Sequence, residues 1–184
     1  MAGKSTLAAG LFYHAKSQHK RVELVTEYAR EMVYEDRSNI LADQLYILAK
    51  MNRRLLRLKG KVDYVITDSP LMLGALYATP GYYPSFTSIV DDAFNSYCNI
   101  NMFVKRDMRA PLQTTGRVQT EIDQMTKLDD SLANLLYNRG ILFNTVHVGA
   151  SPLLVWQFIE NVAQELDTDA KCAGTVLPTE VEAA

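Results

Sequence analysis

The sequence predicts an α/β domain in which a mostly parallel sheet is covered by helices on both faces. Three observations carry that prediction. Short apolar runs of strand character alternate with amphipathic runs of helical spacing along most of the chain, and such alternation calls for parallel strands joined by crossover helices. Gly3-Lys4-Ser5-Thr6 stands at the mouth of the first helical run. The apolar run Val62-Asp63-Tyr64-Val65-Ile66-Thr67 ends in Asp68-Ser69-Pro70, which puts a carboxylate at a strand's carboxyl end, where open parallel sheets gather their ligands.

Size and composition bound the answer. With 184 residues, 48% of them hydrophobic and 22% charged, the chain is expected to form one domain over residues 1–166. From 167 to 184, acidic and small residues with Gly174 and Pro178 keep no apolar period, and a disordered tail is expected. The net charge of -2 argues against a general nucleic-acid-coating surface and leaves only a local basic patch for DNA. Cys98 and Cys172 match no metal or redox spacing, and no apolar run approaches the roughly 18 residues of a membrane helix. A reduced, cytoplasmic protein without membrane contact is the expectation.

The first helix is expected over 5–17, with Leu7, Leu11, His14 and Ala15 near one face and Gly10 as an interior cost that close packing on a sheet would explain. A helix start leaves N–H groups unpaired and carries partial positive charge, so an anion is favoured there. Gly3 lets the backbone curl toward a phosphate, and Lys4 can reach β- and γ-phosphates. The Ser5 hydroxyl can complete a Mg²⁺ shell, and Thr6 adds a donor toward an α-phosphate. Glycine, lysine and a hydroxyl residue meet by chance in roughly one chain in ten of this length, so context must carry the reading.

Val22-Glu23-Leu24-Val25-Thr26 reads as a strand and is followed by Glu27-Tyr28-Ala29-Arg30-Glu31. Glu27 is placed to orient or deprotonate an acceptor hydroxyl, and Arg30 to hold a phosphate or carboxylate. The plain alternative is a solvated pair at a helix start. A long helix is expected over 40–58, with Leu41, Leu45, Leu48, Met51 and Leu55 recurring, a mostly solvated basic end, and Gly60 as its stop. The strand over 62–68 then ends on Asp68, suited to hold Mg²⁺ directly or through water. Structural packing is the expectation for Tyr82 and Tyr83 in the turn Pro80-Gly81-Tyr82-Tyr83-Pro84.

A helix over 87–97 is expected to bury Ile89, Val90, Ala93, Phe94 and Tyr97, and Ile100, Met102 and Val104 alternate as a third strand over 99–105. Beyond it lie Lys105, Arg106, Arg109, Pro111, Gly116 and Arg117. A basic, proline- and glycine-broken segment over 105–118 suits a lid whose arginines neutralise a transferring phosphoryl group; the alternative is an exposed basic loop. A helix from Thr120 to the stop at Gly140 carries Met125, Leu128, Leu132, Leu135 and Leu136. A fourth strand over 143–148 leads through Ser151-Pro152 into a last helix, with Trp156 beside its apolar stripe and expected half-buried.

Taken together, Ala2-Gly3-Lys4-Ser5-Thr6, Thr26-Glu27-Tyr28-Ala29-Arg30-Glu31, Asp43-Gln44-Leu45-Tyr46, Val65-Ile66-Thr67-Asp68-Ser69-Pro70 and Gly116-Arg117-Val118-Gln119-Thr120-Glu121 resemble the small AAA-type P-loop ATPases or kinases of tailed phages. These are similar to the nicotinamide riboside kinase domain of NadR proteins. The resemblance spans about residues 2–166. It implies a three-layer P-loop fold, ATP with Mg²⁺, and phosphoryl transfer to a nucleoside, nucleotide or modified base, in a host cytoplasm if the chain is phage-encoded. The implied ATP contacts are Ala2, Gly3, Lys4, Ser5 and Thr6, and the implied metal contacts are Ser5 and Asp68. Lys4, Glu27, Arg106, Arg109 and Arg117 would act on the transferring phosphate, and Glu27, Arg30 and Asp68 would line the acceptor.

Only the closing half of the phosphate loop G-x-x-x-x-G-K-[ST] stands ahead of the helix. The expected sheet therefore lacks its first, central strand, leaving buried hydrogen-bonding edges on both sides of the gap. Either the sequence is part of a longer chain, or something else fills that gap, or the protein is poorly active. Three functional readings stay open: a phosphotransferase, an NTP-hydrolysing switch without a small-molecule acceptor, and an inactive remnant.

Overall fold

The computed structural model describes residues 3–106 and 122–168. It is a mixed α/β structure. In chain order it runs through helix α1 (Lys4–Ser17), strand β1 (Val22–Val25), α2 (Tyr28–Tyr34), a 3-10 turn (Ser38–Ala42), α3 (Gln44–Leu56) and β2 (Tyr64–Thr67). It continues with α4 (Leu73–Tyr77), α5 (Phe86–Asn95), β3 (Met102–Lys105), α6 (Ile122–Asn138), β4 (Asn144–His147) and α7 (Pro152–Thr168). Residues 107–121 and 169–184, and with them most of the expected lid and the expected tail, lie outside the described residues.

The strands form two separate parallel pairs. β1 pairs with β2, Val22 opposite Tyr64 and Val25 opposite Thr67. β3 pairs with β4, Met102 opposite Asn144 and Lys105 opposite His147. Among the described residues no ladder joins the two pairs. Each strand lies inside the apolar run that predicted it, trimmed to four residues.

Two apolar clusters flank the strands. One gathers Val25, Met32, Leu48, Met51, Phe86 and Val90 with Phe103 and Phe143 against it. The other gathers Leu11, Ala15, Val22, Val146, Val155 and Trp156, with Tyr64, Ile66 and Met102 against it. The neighbours Met102 and Phe103 thus feed different clusters, as side-chain alternation across a strand requires.

Several expectations change at the level of packing. The helix expected over 40–58 starts only at Gln44, because the Asp43 carboxylate accepts from the Tyr46 N–H at 3.1 Å and caps it there. Leu45 and Ile89, expected in buried stripes, are exposed, while Gln44 and Phe86 are buried instead. Helix α4 went unforeseen because five residues are too few to set a period. Gly10 packs against a helix rather than a sheet: a Cβ there would lie 2.6 Å from both Cβ and Cγ of Pro152, the first residue of α7. Trp156, expected half-buried, has no exposed surface; its indole N–H donates to Gln18 Oε1 at 2.7 Å and its ring meets Tyr64 edge-on. Among the described residues no helix is long and apolar enough to cross a membrane.

Candidate functional site

Helix α1 begins directly after Gly3, whose φ of 66° and ψ of 11° are left-handed. A side chain at such a φ is strained, so glycine fits the position. The entry presents the first turn of α1 toward the end of β2. The Ser5 hydroxyl donates to Asp68 Oδ2 at 2.5 Å and accepts from Arg30 Nη2 at 3.0 Å. Arg30 Nη2 also lies 3.4 Å from Glu27 Oε2 and 3.6 Å from Asp68 Oδ2. Ser5 in the first turn of α1, Glu27 and Arg30 at the start of α2, and Asp68 after β2 therefore meet in one cluster.

Asp68 is the deepest of them. Its side chain is 4% exposed, and its second oxygen, Oδ1, is buried without a hydrogen-bond partner. A buried carboxylate oxygen left unpaired costs on the order of 1–3 kcal/mol, so the atom is suited to a ligand. The donor set is hard: an alcohol oxygen beside a carboxylate, of the kind Mg²⁺ takes when water and phosphate supply the rest. Among the described residues no group of three or more His, Cys, Asp and Glu could hold a metal ion by itself. Ser5 and Asp68 fit a dication shared with a bound polyphosphate better than a closed protein cage. Lys4 and Thr6 are exposed on the same first turn.

No protein-family model, curated protein or solved structure matches this chain.

Arg106 follows β3, and its guanidinium is gripped by Asp129 of α6, through Nε to Oδ2 and through Nη2 to Oδ1 at 2.9 Å. Its side chain is only 9% exposed. Expected as a lid arginine, Arg106 is instead anchored between β3 and α6. Ala2, Arg109 and Arg117 lie outside the described residues.

Two residues at this end of the strands escaped sequence reasoning. Tyr77 closes α4. Burial pushes its phenol up to about 12, and the charges of Glu27, Arg106 and Asp129 act on it as well. It is 37% exposed overall, so the residue shows one flank to solvent while its hydroxyl keeps its proton. Asp129 is the other. Nothing in the pattern of an amphipathic helix distinguishes an acidic residue that fixes an arginine from one that faces water. Just outside the cluster, Arg54 clamps Glu31 at 2.9 and 2.6 Å and reaches the Thr26 carbonyl at 3.1 Å. That pair ties α3 to α2.

Proposed function

We propose that the protein is an ATP-dependent phosphotransferase, a small P-loop kinase acting on a nucleoside, nucleotide or modified base. The observation that carries this reading is the hydrogen bond from Ser5 at the start of α1 to Asp68 at the end of β2, with Arg30 and Glu27 beside it. A hydroxyl at a helix start and a carboxylate at a strand end, in contact, suit Mg²⁺-polyphosphate. The reading includes a three-layer arrangement, with α1 and α7 over one face of the strands and α2, α3, α5 and α6 over the other, and a central strand beyond the described pairs.

In this reading the triphosphate lies against the first turn of α1. The N–H groups after Gly3 and the Lys4 ammonium neutralise its oxygens, and Thr6 adds a donor. Ser5 and Asp68 would hold Mg²⁺, which would supply positive charge against the polyphosphate. Glu27 orients the acceptor hydroxyl and takes its proton as the new acceptor O–P bond forms and the bond between the γ-phosphorus and its bridging oxygen breaks, releasing ADP. Arg30, with Arg109 and Arg117 from the lid segment, offsets charge on the transferring group, while Arg106 stays bound to Asp129.

The test has two steps. Binding of a fluorescent ATP analogue is measured for the parent and for Lys4→Ala, with and without Mg²⁺. Transfer from labelled ATP is then followed on a panel of nucleosides, nucleotides and hydroxymethylated DNA. Tight, Lys4-dependent binding with transfer to one class supports the reading. Tight binding with slow hydrolysis and no transfer to any acceptor would favour an NTP-driven switch, and absence of binding would favour an inactive remnant.

A further inference from the structure

Helix α3 turns its apolar residues inward: Ile47, Leu48, Met51 and Leu55 are buried, together with Gln44. On the opposite side Tyr46, Lys50, Arg53 and Arg57 follow one another at i, i+4, i+7 and i+11. At 3.6 residues per turn that spacing keeps them within about 60° of arc along about 16 Å of helix. Arg57, at the carboxyl cap, keeps a helical φ of -64° and ψ of -17°, so the row runs unbroken, and Lys50, Arg53 and Arg57 are exposed. Beside it lies a second row at the same spacing, Leu45, Ala49, Asn52 and Leu56. Leu45 is 41% and Leu56 48% exposed, and Ala49 is exposed as well. Asn52 is half-buried, its Oδ1 accepting from the Tyr97 hydroxyl at 2.9 Å.

A solvated helix face ordinarily mixes charges, since an acid and a base three or four residues apart support the helix and like charges there oppose it. α3 has no Asp or Glu from Gln44 to Leu56. Lys50 stands four residues before Arg54 and Arg53 four before Arg57, so the helix carries like-charge pairs. Its carboxyl end offsets this for Arg53 and Arg54, which lie in the last turn, but not for Lys50. Arg54 is matched by Glu31 at 2.6 Å. Among the described residues Lys50, Arg53 and Arg57 form no ion pair. Lys50 is instead held over the Tyr46 ring, 5.2 Å from its centre.

We infer that this face of α3 docks an acidic amphipathic helix of a partner protein. Two parallel rows at helical spacing, one mostly apolar and one basic, match a partner that repeats the pattern. Leu or Ile of the partner packs against Leu45, Ala49 and Leu56, and Glu or Asp on its flank meets Lys50, Arg53 and Arg57. A polynucleotide would satisfy the cations and leave the leucines in water, whereas a neutral helix would cover the leucines and leave the like charges unrelieved. A contact confined to one helix face is small, so it is reversible and sensitive to salt. The inference is independent of the phosphotransferase reading, since no nucleotide takes part.

The probe is a synthetic peptide of three repeats of Glu-Leu-Ala-Ala-Leu-Glu-Gln, carrying a fluorophore and titrated with the full chain by anisotropy. Its counterpart with Lys for Glu, an acidic peptide of the same composition in scrambled order, and a single-stranded oligothymidylate are measured beside it. The same titrations are run on Arg53→Gln with Arg57→Gln and on Leu56→Ser, with the emission of the buried Trp156 reporting that each variant is folded. The acidic helix is expected to bind the parent, with affinity falling about tenfold or more in each variant and again at high NaCl, and the Lys and scrambled peptides are expected not to bind. Failure of the acidic helix to bind, or equal binding to the parent and both variants, would overturn the inference. Equal affinity for the scrambled peptide, or tighter binding of oligothymidylate that the arginine variant loses, would make this a general polyanion surface and overturn it too. A parent that dimerises in size-exclusion chromatography and becomes monomeric with Leu56→Ser would seat a second copy on this face, and the inference fails.

Discussion

The Ser5 hydroxyl donates to Asp68 Oδ2 across 63 residues of chain, joining the start of α1 to the end of β2. Arg30 donates to the same hydroxyl at 3.0 Å, so Ser5 bridges a carboxylate and a guanidinium. Under the nucleotide-binding reading, Ser5→Ala removes one metal contact and leaves Asp68 Oδ2 short of a donor. The expected outcome is a loss of Mg²⁺-dependent ATP affinity on the order of 10- to 100-fold, with affinity in EDTA little changed. Titration with a fluorescent ATP analogue at several Mg²⁺ concentrations measures it. Identical Mg²⁺ dependence in parent and variant would sink the assignment.

Gly10 offers a sharp stability prediction because two effects oppose. Replacing a helical glycine by alanine gains about 1 kcal/mol of helix propensity. The added Cβ would sit 2.6 Å from two atoms of the Pro152 ring, and overpacking of that kind costs about 1–3 kcal/mol. Pro152 cannot swing away as a long flexible side chain would, so the steric effect wins. Gly10→Ala is expected to lower stability in urea denaturation, and Gly10→Ala with Pro152→Ala to recover part of the loss. A Gly10→Ala protein more stable than the parent would show that α1 and α7 are not in close contact.

The candidate site was legible where position along an element determines role. Glu27 and Asp68 each follow a strand, and Ser5 opens a helix; in parallel sheets those ends converge, so their meeting follows from the order of elements. Tyr77 and Asp129 were not legible, since their importance comes from a five-residue helix and from where α6 crosses β3. Neither leaves a periodic trace. Packing was legible only to the nearest face: the pattern of α3 was helical, yet Gln44 is buried and Leu45 exposed, because a cap at Asp43 and the seat of Tyr82, whose hydroxyl accepts from the Leu45 N–H at 3.0 Å, set the rotation of the first turn.

Trp156 gives a second stability test with its own spectroscopic report. It is the chain's single tryptophan, fully buried, with its N–H held by Gln18. Its emission is expected to be blue-shifted and protected from acrylamide, shifting red on unfolding. Trp156→Ala is expected to cost about 3–5 kcal/mol, a large share of a typical stability of about 5–15 kcal/mol. Trp156→Phe keeps most of the ring contact with Tyr64 and loses the hydrogen bond, so its cost is expected to be smaller. Water-like emission from the folded parent would contradict the buried position.

The Glu31–Arg54 pair makes stability depend on pH in a defined direction. Hydrogen bonding to Arg54 holds the Glu31 carboxyl below its ordinary range. A carboxyl whose folded value is depressed contributes stability that is fully present above its unfolded value, about 4.3, and is lost as pH falls through the folded value. The Arg54 side chain is 24% and the Glu31 side chain 43% exposed, so solvent screens the pair and its contribution stays at or below about 1 kcal/mol. Parent and Glu31→Gln are expected to differ in melting temperature by about 2–4 °C at pH 7. That gap should narrow from about pH 4 downward as Glu31 is protonated, and 1 M NaCl should shrink it at neutral pH. A gap that persists unchanged at pH 3 would mean that Glu31 acts through packing or neutral hydrogen bonding rather than through its charge.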